Sequence, residues 1–392
     1  MIADKLKNDI NNASWIRAMF EEGEKLRQIH GADKVYDFSL GNPDYEPPVK
    51  VQENLKKLIA EDTPALHRYT SNAGYPDVRS LIASRIAAET GVPITSEHII
   101  LTCGAAGGLN VVLKTILNPG DEVIIITPYF VEYHFYIDNH GGIPVRVPSG
   151  PGFIPDIKAL ANSITQKTRA IILNSPNNPT GVVYSREVLE QIAEVLKHKE
   201  QEYHSEILVI SDEPYNKLVY DGVEVTNFMS VFPHCAIVNS FSKSLALPGE
   251  RIGYIAVNPS ISSVELTMAG MVFTNRTLGY VNAPSLFQRL IFSCLDEGPD
   301  TLEYEARRDL IYNHLASLGF SCVKPQGAFY LFPQSPIADD VEFVKRALKY
   351  NLLLVPGTGF AAPGYFRIAF CQSQQTIRNS FDAFTQLAKE FF

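Results

Sequence analysis

The sequence predicts an α/β fold: a large domain with a mostly parallel sheet of about seven strands between helices, and a smaller α+β domain built from both chain ends. Three observations predict it. Short apolar, β-branched runs alternate with amphipathic stretches through the middle of the chain, the signature of βαβ units. After about Gly298 the texture changes to a charged helical stretch followed by short strands. At 392 residues the chain is also too long for one compact core.

Taken in order, the segment before Pro43 reads as a helix, Ala13–His30, and an extended run, Val35–Leu40. The middle supplies the strands Ile99–Cys103, Glu122–Ile126, Pro144–Val147, Ala170–Asn174, Leu208–Asp212, Ala236–Ser240 and Gly253–Val257. Between them, Leu109, Val112, Leu113 and Ile116 keep helical spacing, as do Val188, Leu189, Ile192, Val195 and Leu196 behind a Ser185 N-cap. The last part reads as a helix over Glu303–Leu315, short strands near Gly327–Phe332 and Arg367–Phe370, and a final helix from about Thr376. The expected division is 46–297 for the large domain, with 1–45 and 298–392 forming the small discontinuous one.

Composition excludes several function classes. With 45% hydrophobic and 20% charged residues the chain is ordinary for a globular protein. A formal charge of -9 opposes binding to nucleic acid or anionic lipid. The five cysteines show no C-x-x-C pair, so they read as reduced thiols with no metal site. No apolar run approaches the ~20 residues that span a bilayer, and Met1–Ile10 lacks a signal-peptide pattern. Cytoplasmic residence and small-solute partners are the expectation.

The chemistry concentrates at strand ends. S-F-S-K-S-L-A-L-P-G-E-R-I-G-Y, from Ser240 to Tyr254, places Lys243 just past a strand and Arg251 eight positions later. Taken alone, Lys243 could be a turn lysine, an anion anchor or an amine nucleophile. S-D-E-P-Y puts Asp212 and Tyr215 at a sheet edge where ligands of open α/β folds collect, although strand-end acids also cap helices. N-S-P-N-N-P-T-G, Asn174–Gly181, is dense enough in turn residues to be a turn and nothing more. T-C-G-A-A-G-G-L-N, from Thr102, carries a strand into a helix through small residues that would let backbone N–H groups approach a phosphate.

In this order, with P-Y-F at 128–130 and a late Arg367, these segments resemble the aspartate-aminotransferase superfamily, the class I/II aminotransferases of fold type I that depend on pyridoxal 5′-phosphate. The resemblance covers almost the entire chain. It implies that Lys243 holds the cofactor as an internal Schiff base and then shuttles the substrate proton, and that Asp212 keeps the pyridine nitrogen protonated. Asn178 and Tyr215 would donate to the phenolic oxygen, and Phe130 would stack on the ring. The phosphate would be met by Gly104, Ala105 and Ala106, by Ser240 and Ser242, and by Arg251. Arg367 would grip the substrate α-carboxylate beside Gly41, with Asn178 near it. Tyr69 would reach the partner subunit's phosphate in a homodimer.

The implied reaction moves an α-amino group from an amino acid to a 2-oxo acid in ping-pong fashion. Two other readings stay open: a C–S β-lyase or other reaction on the same scaffold, and a non-enzymatic sensor, which the absence of a basic helix-turn-helix extension disfavours. Dicarboxylate-specific relatives carry a second arginine near T-N-R-T-L-G-Y-V-N-A-P, and Arg276 lies close to that place without matching it clearly. The contacts of Tyr75 and Tyr280 are open. Trp15 and Arg17, in a helix that could cover the cleft, read as packing residues.

Overall fold

The apolar runs resolve into one seven-stranded sheet. A computed structural model describes the backbone outside residues 12–14 and 62–63, and the side chains outside these and residues 8–11, 16–18 and 20. The strands are β1 (Ile99–Thr102), β2 (Glu122–Thr127), β3 (Ile143–Pro148), β4 (Thr168–Asn174), β5 (Leu208–Asp212), β6 (Cys235–Ser240) and β7 (Gly253–Val257). Their order is β1-β7-β6-β5-β4-β2-β3. Six strands point the same way, and β7 alone runs against them, antiparallel to both its neighbours β6 and β1. Strands β1, β5 and β6 are buried at every position, as continuous apolar runs between two helical layers require. Edge strand β3 is mostly uncovered, and Pro144 and Pro148 blunt its open side.

The antiparallel strand positions the chemistry. Because β7 returns along β6, the chain between them stays at the edge where β4 and β5 end. Register then places Asn174 opposite Asp212, and Ser240 opposite Gly253. The whole Ser240–Arg251 stretch is thereby held beside those two strand ends.

One apolar core lies on each face of the sheet. Val209 and Ile237 belong to one; Ile210, Val238 and Leu109 belong to the other. The Gly104–Ile116 helix buries Leu109, Val112 and Leu113 as its spacing predicts. Ser185 caps the Arg186–Tyr203 helix, accepting from the Val188 N–H at 3.4 Å. A third core joins Met19 and Phe38 to residues from Tyr304 to Ala388, with Tyr215, Leu218 and Tyr220 entering from the sheet side. There Phe366–Ala369 is the central strand between Val355–Pro356 and Tyr330–Leu331. Among the described residues, no helix is long and apolar enough to cross a membrane.

Two local expectations need correction. The extended run Val35–Leu40 forms a strand only at Tyr36–Asp37, because Ser39 turns its N–H (3.0 Å) and hydroxyl (2.6 Å) back onto the Asp37 carboxylate. The final helix begins at Gln374 behind a Ser373 cap and is interrupted at buried Ser380, whose hydroxyl bonds the Ile377 carbonyl at 2.7 Å. Ala13 lies outside the described residues, and the N-terminal helix is described from Trp15 to His30.

Candidate active site

At the sheet edge a cavity of about 300 Å³ is lined by residues from the Ala105–Ala106, Phe130, Asn178, Asp212–Tyr215, Ser240–Arg251 and Arg367 segments. Its floor is the end of β5. Asp212 is 5% exposed, and its Oδ2 accepts the hydroxyl hydrogen of Tyr133. Its Oδ1 is buried with no partner among the described residues. Burial pushes the carboxyl up to about 7, and the tyrosine bond works against that rise. Asn174 Nδ2 holds the Asp212 backbone carbonyl at 2.8 Å, and Asn174 Oδ1 takes the Asn178 N–H at 2.7 Å. Adjacent strand ends are thus tied together before any ligand is considered.

Lys243 sits in a single turn, Phe241–Ser244, directly after β6. Its amine donates to the Gly41 carbonyl and lies 5.3 Å from the Phe329 ring centre. Its backbone carbonyl takes the Tyr45 hydroxyl at 3.1 Å. Burial draws the amine down to about 8, so at neutral pH roughly a tenth of it is uncharged and nucleophilic. Arg251 follows in the left-handed region, φ 51°, a conformation that costs about 1 kcal/mol or more. That turn lays the guanidinium against Gly104, where an added Cβ would stand 2.6 Å from it. The Gly104–Ile116 helix has no capping side chain, so its first N–H groups, at Ala105 and Ala106, are available to an anion beside Arg251.

The opposite wall comes from the third core. Arg367 is 2% exposed and donates to Ser39 O at 2.5 Å and Asn178 Oδ1 at 3.1 Å. Its guanidinium stacks between Tyr330 (4.6 Å) and Phe360 (4.8 Å). Among the described residues no carboxylate is bonded to it, and its Nε has no partner. A buried cation held only by neutral groups is a socket for an anion. With Oδ1 taken, the amide nitrogen is the donor Asn178 can offer. At Gly41 an added Cβ would stand 2.9 Å from the Tyr330 ring and nearer still to its hydroxyl, so no larger residue fits. Tyr215 and Tyr330 bond each other through their hydroxyls at 3.0 Å.

The structure therefore gathers Gly41, Ala105, Ala106, Phe130, Asn178, Asp212, Tyr215, Ser240, Ser242, Lys243, Arg251 and Arg367 around one cavity. Gly104 stands behind the lining, against Arg251. Tyr69 does not reach this cavity; it is 87% exposed. Arg276 lies outside it too, near the Phe273 ring. Tyr75 packs under the Arg289 guanidinium, 3.6 Å from ring centre to cation, and Tyr280 packs beside Gly107. Trp15 packs with Phe332, Val355 and Phe360, as expected of a packing residue, and the Arg17 side chain lies outside the described residues. Sequence reasoning missed Asn174, Tyr133, Tyr136 and Tyr330. For two of these a signal existed: Phe130, Tyr133 and Tyr136 recur every third residue, the spacing of one helical face.

Known proteins share this architecture. The family model for aminotransferase class I and II matches residues 33–384. A probable aspartate/prephenate aminotransferase from Thermus aquaticus is 34% identical over 360 residues, 89% of this chain and 90% of its own. The crystal structure of an amino transferase from Eubacterium rectale superposes with TM-score 0.95 at 36% identity, covering 100% of this chain and 99% of that one. The aspartate aminotransferase from Thermus thermophilus with maleate gives TM-score 0.86 at 30% identity, covering 96% and 97%. With nearly the full length matched and a cavity holding Asp212, Lys243 and Arg367 at the expected sheet edge, the chain belongs to the class I and II aminotransferases and is an aspartate-aminotransferase-like enzyme of fold type I.

Proposed function

We propose that this aminotransferase uses pyridoxal 5′-phosphate and that Lys243 is the amine on which the cofactor is held. One observation carries the reading. Asp212, whose Oδ1 is buried without a partner, lines the same cavity as a lysine amine with a lowered pKa. That pairing suits a ring whose nitrogen is protonated and whose aldehyde seeks an amine. When bound, the cofactor supplies that aldehyde and an electron-poor ring that accepts charge from the substrate α-carbon.

The protein's own groups do the rest. Asp212 keeps the ring nitrogen charged, Phe130 covers the ring, and Tyr215 with the Asn178 amide donates to its phenolic oxygen. Ser240, Ser242, Arg251 and the Ala105 and Ala106 N–H groups hold the phosphate beside Gly104. Arg367 binds the substrate α-carboxylate next to Gly41, and Lys243 moves the proton at the α-carbon.

The relatives' names, aspartate and prephenate, and the dicarboxylate maleate in the Thermus thermophilus structure support an aspartate-type donor. Arg276 is then a candidate for the distal carboxylate. A homodimer is supported by two side chains left uncovered in one chain, Tyr69 and Arg251, with Tyr69 reaching the phosphate of the partner subunit. The separate third core supports the division into 46–297 and 1–45 with 298–392. Five free cysteines support cytoplasmic residence.

The test is spectroscopic and then kinetic. The purified protein is expected to absorb in the near-visible range, to lose that band with a good amino donor, and to recover it with 2-oxoglutarate. Release of pyruvate and ammonia from cysteine-type substrates without any acceptor would replace transamination by β-elimination.

A further inference from the structure

We propose that Tyr133 is a positioning residue: by donating its hydroxyl hydrogen to Oδ2 of Asp212 it turns Oδ1 into the cavity as the acceptor for a protonated ring nitrogen. The proposal rests on pyridoxal phosphate being the cofactor, but its central contact belongs to the protein alone.

Tyr133 is 2% exposed and stands at the start of the Glu132–Asn139 helix. Its backbone N–H bonds the Phe130 carbonyl at 3.0 Å, and its ring meets Phe130 edge-on at 5.6 Å. One turn of chain therefore supplies both the aromatic that covers the cavity and the hydroxyl that aims the carboxylate behind it. A carboxylate has two oxygens, and a donor on one fixes the rotation of both. The oxygen left over is the unpartnered one. Without the tyrosine, both oxygens would be free to turn and the charge would have no hydrogen bond to hold it.

The second consequence concerns ionisation. The titratable groups on the Asp212 side are Tyr133 and Tyr136 from that helix and Tyr215 further along the chain, while Glu213, next in sequence, points to the other side of the sheet and acts on it only through charge. Asn174 and Leu109, from the neighbouring strand and helix, also line the cavity and carry no charge. The hydrogen bond from Tyr133 is what lowers the carboxyl's pKa against burial. Removing its hydroxyl leaves desolvation unopposed, so Asp212 would take up its proton at higher pH and lose its hold on a cationic nitrogen.

The experiment uses the full chain with Tyr133→Phe, which keeps the ring packing, and reads the Asp212 carboxyl by infrared titration of ligand-free, aspartate-labelled protein, with Asp212→Asn assigning the band. The midpoint is expected to rise by about one pH unit or more, and affinity for pyridoxal phosphate at neutral pH to fall by roughly tenfold. In the Asp212→Asn background the same change should have little further effect on affinity. Fluorotyrosine at position 133 keeps the shape but strengthens the donor, and should move the midpoint downward; this arm stands even if the phenylalanine variant folds poorly. An unchanged midpoint in both variants overturns the proposal, as does full additivity with Asp212→Asn. A wild type that takes up no pyridoxal phosphate would sink the cofactor reading instead, while the ligand-free titration would still decide for or against Tyr133.

Discussion

Two neighbouring acids, Asp212 and Glu213, sit at the end of one strand and face opposite sides of the sheet. Both are 5% exposed, and burial pushes both upward, to about 7 and about 8. On the Glu213 side a cavity of about 90 Å³ is closed by groups that satisfy one another. Ser211 donates to Glu213 Oε1 at 2.7 Å, Lys217 bonds the carbonyls of Leu295 (2.8 Å) and Glu297 (2.7 Å), and Arg85 pairs with Asp296. On the Asp212 side, Asp212 Oδ1 and Arg367 Nε have no partner among the described residues. The same chemistry is structural where its partners are built in and functional where they must arrive with a ligand.

The sharpest break between the two sides is Lys243→Ala. It is expected to leave the proposed phosphate socket at Gly104 and Arg251 intact but to cost at least ~10²–10⁴-fold in turnover, the usual range for a general base alone. Single-turnover kinetics with an amino donor would check it, and near wild-type rates would move the catalytic amine elsewhere.

Next comes the matched pair of substitutions. Asp212→Asn should lower kcat by about tenfold or more, since in the proposed mechanism it removes a charged hydrogen bond to the cofactor ring. Glu213→Gln should keep kcat within a factor of about three, a sub-kcal/mol effect. Equal losses in steady-state assays would erase the distinction between the two sides.

Arg367→Lys replaces a planar fork by a point charge. A fall of roughly 10–100-fold in kcat/KM is expected, carried mainly by KM for carboxylate substrates.

The smallest effect is on stability. The folded-state pKa of Glu213 is raised from 4.5 to about 8, so the folded protein holds a proton that the unfolded chain has lost. Stability should therefore fall as pH climbs from about 4.5 to 8 and level off above. Glu213→Gln should flatten that slope and raise the melting temperature at alkaline pH, as measured by thermal unfolding across pH. An unchanged slope would return the effect to Asp212, whose carboxyl has the same sign between 3.8 and about 7.

Much of this was legible before any fold was known. The seven strands could be placed from apolar periodicity, because a strand buried on both faces must be apolar along its length. While Asn178, Ser240 and Lys243 gained their roles only from the resemblance to the class I/II aminotransferases, Asp212 and Tyr215 were legible because α/β sheets collect ligands at strand ends. Tyr330 was not, since it sits in an aromatic stretch, G-A-F-Y-L-F, that reads equally as core.

What the sequence determined by itself was therefore local: which runs become strands, where they end, and which reactive side chains stand at those ends. What the tertiary structure decided was pairing across distance. Tyr133 meets a carboxylate 79 positions away, and Arg367 meets a carbonyl 328 positions away. Periodicity is written residue by residue and can be read from neighbours. Which oxygen of Asp212 is taken, and which buried charge is left without a partner, is set by the packing of segments that share no local pattern.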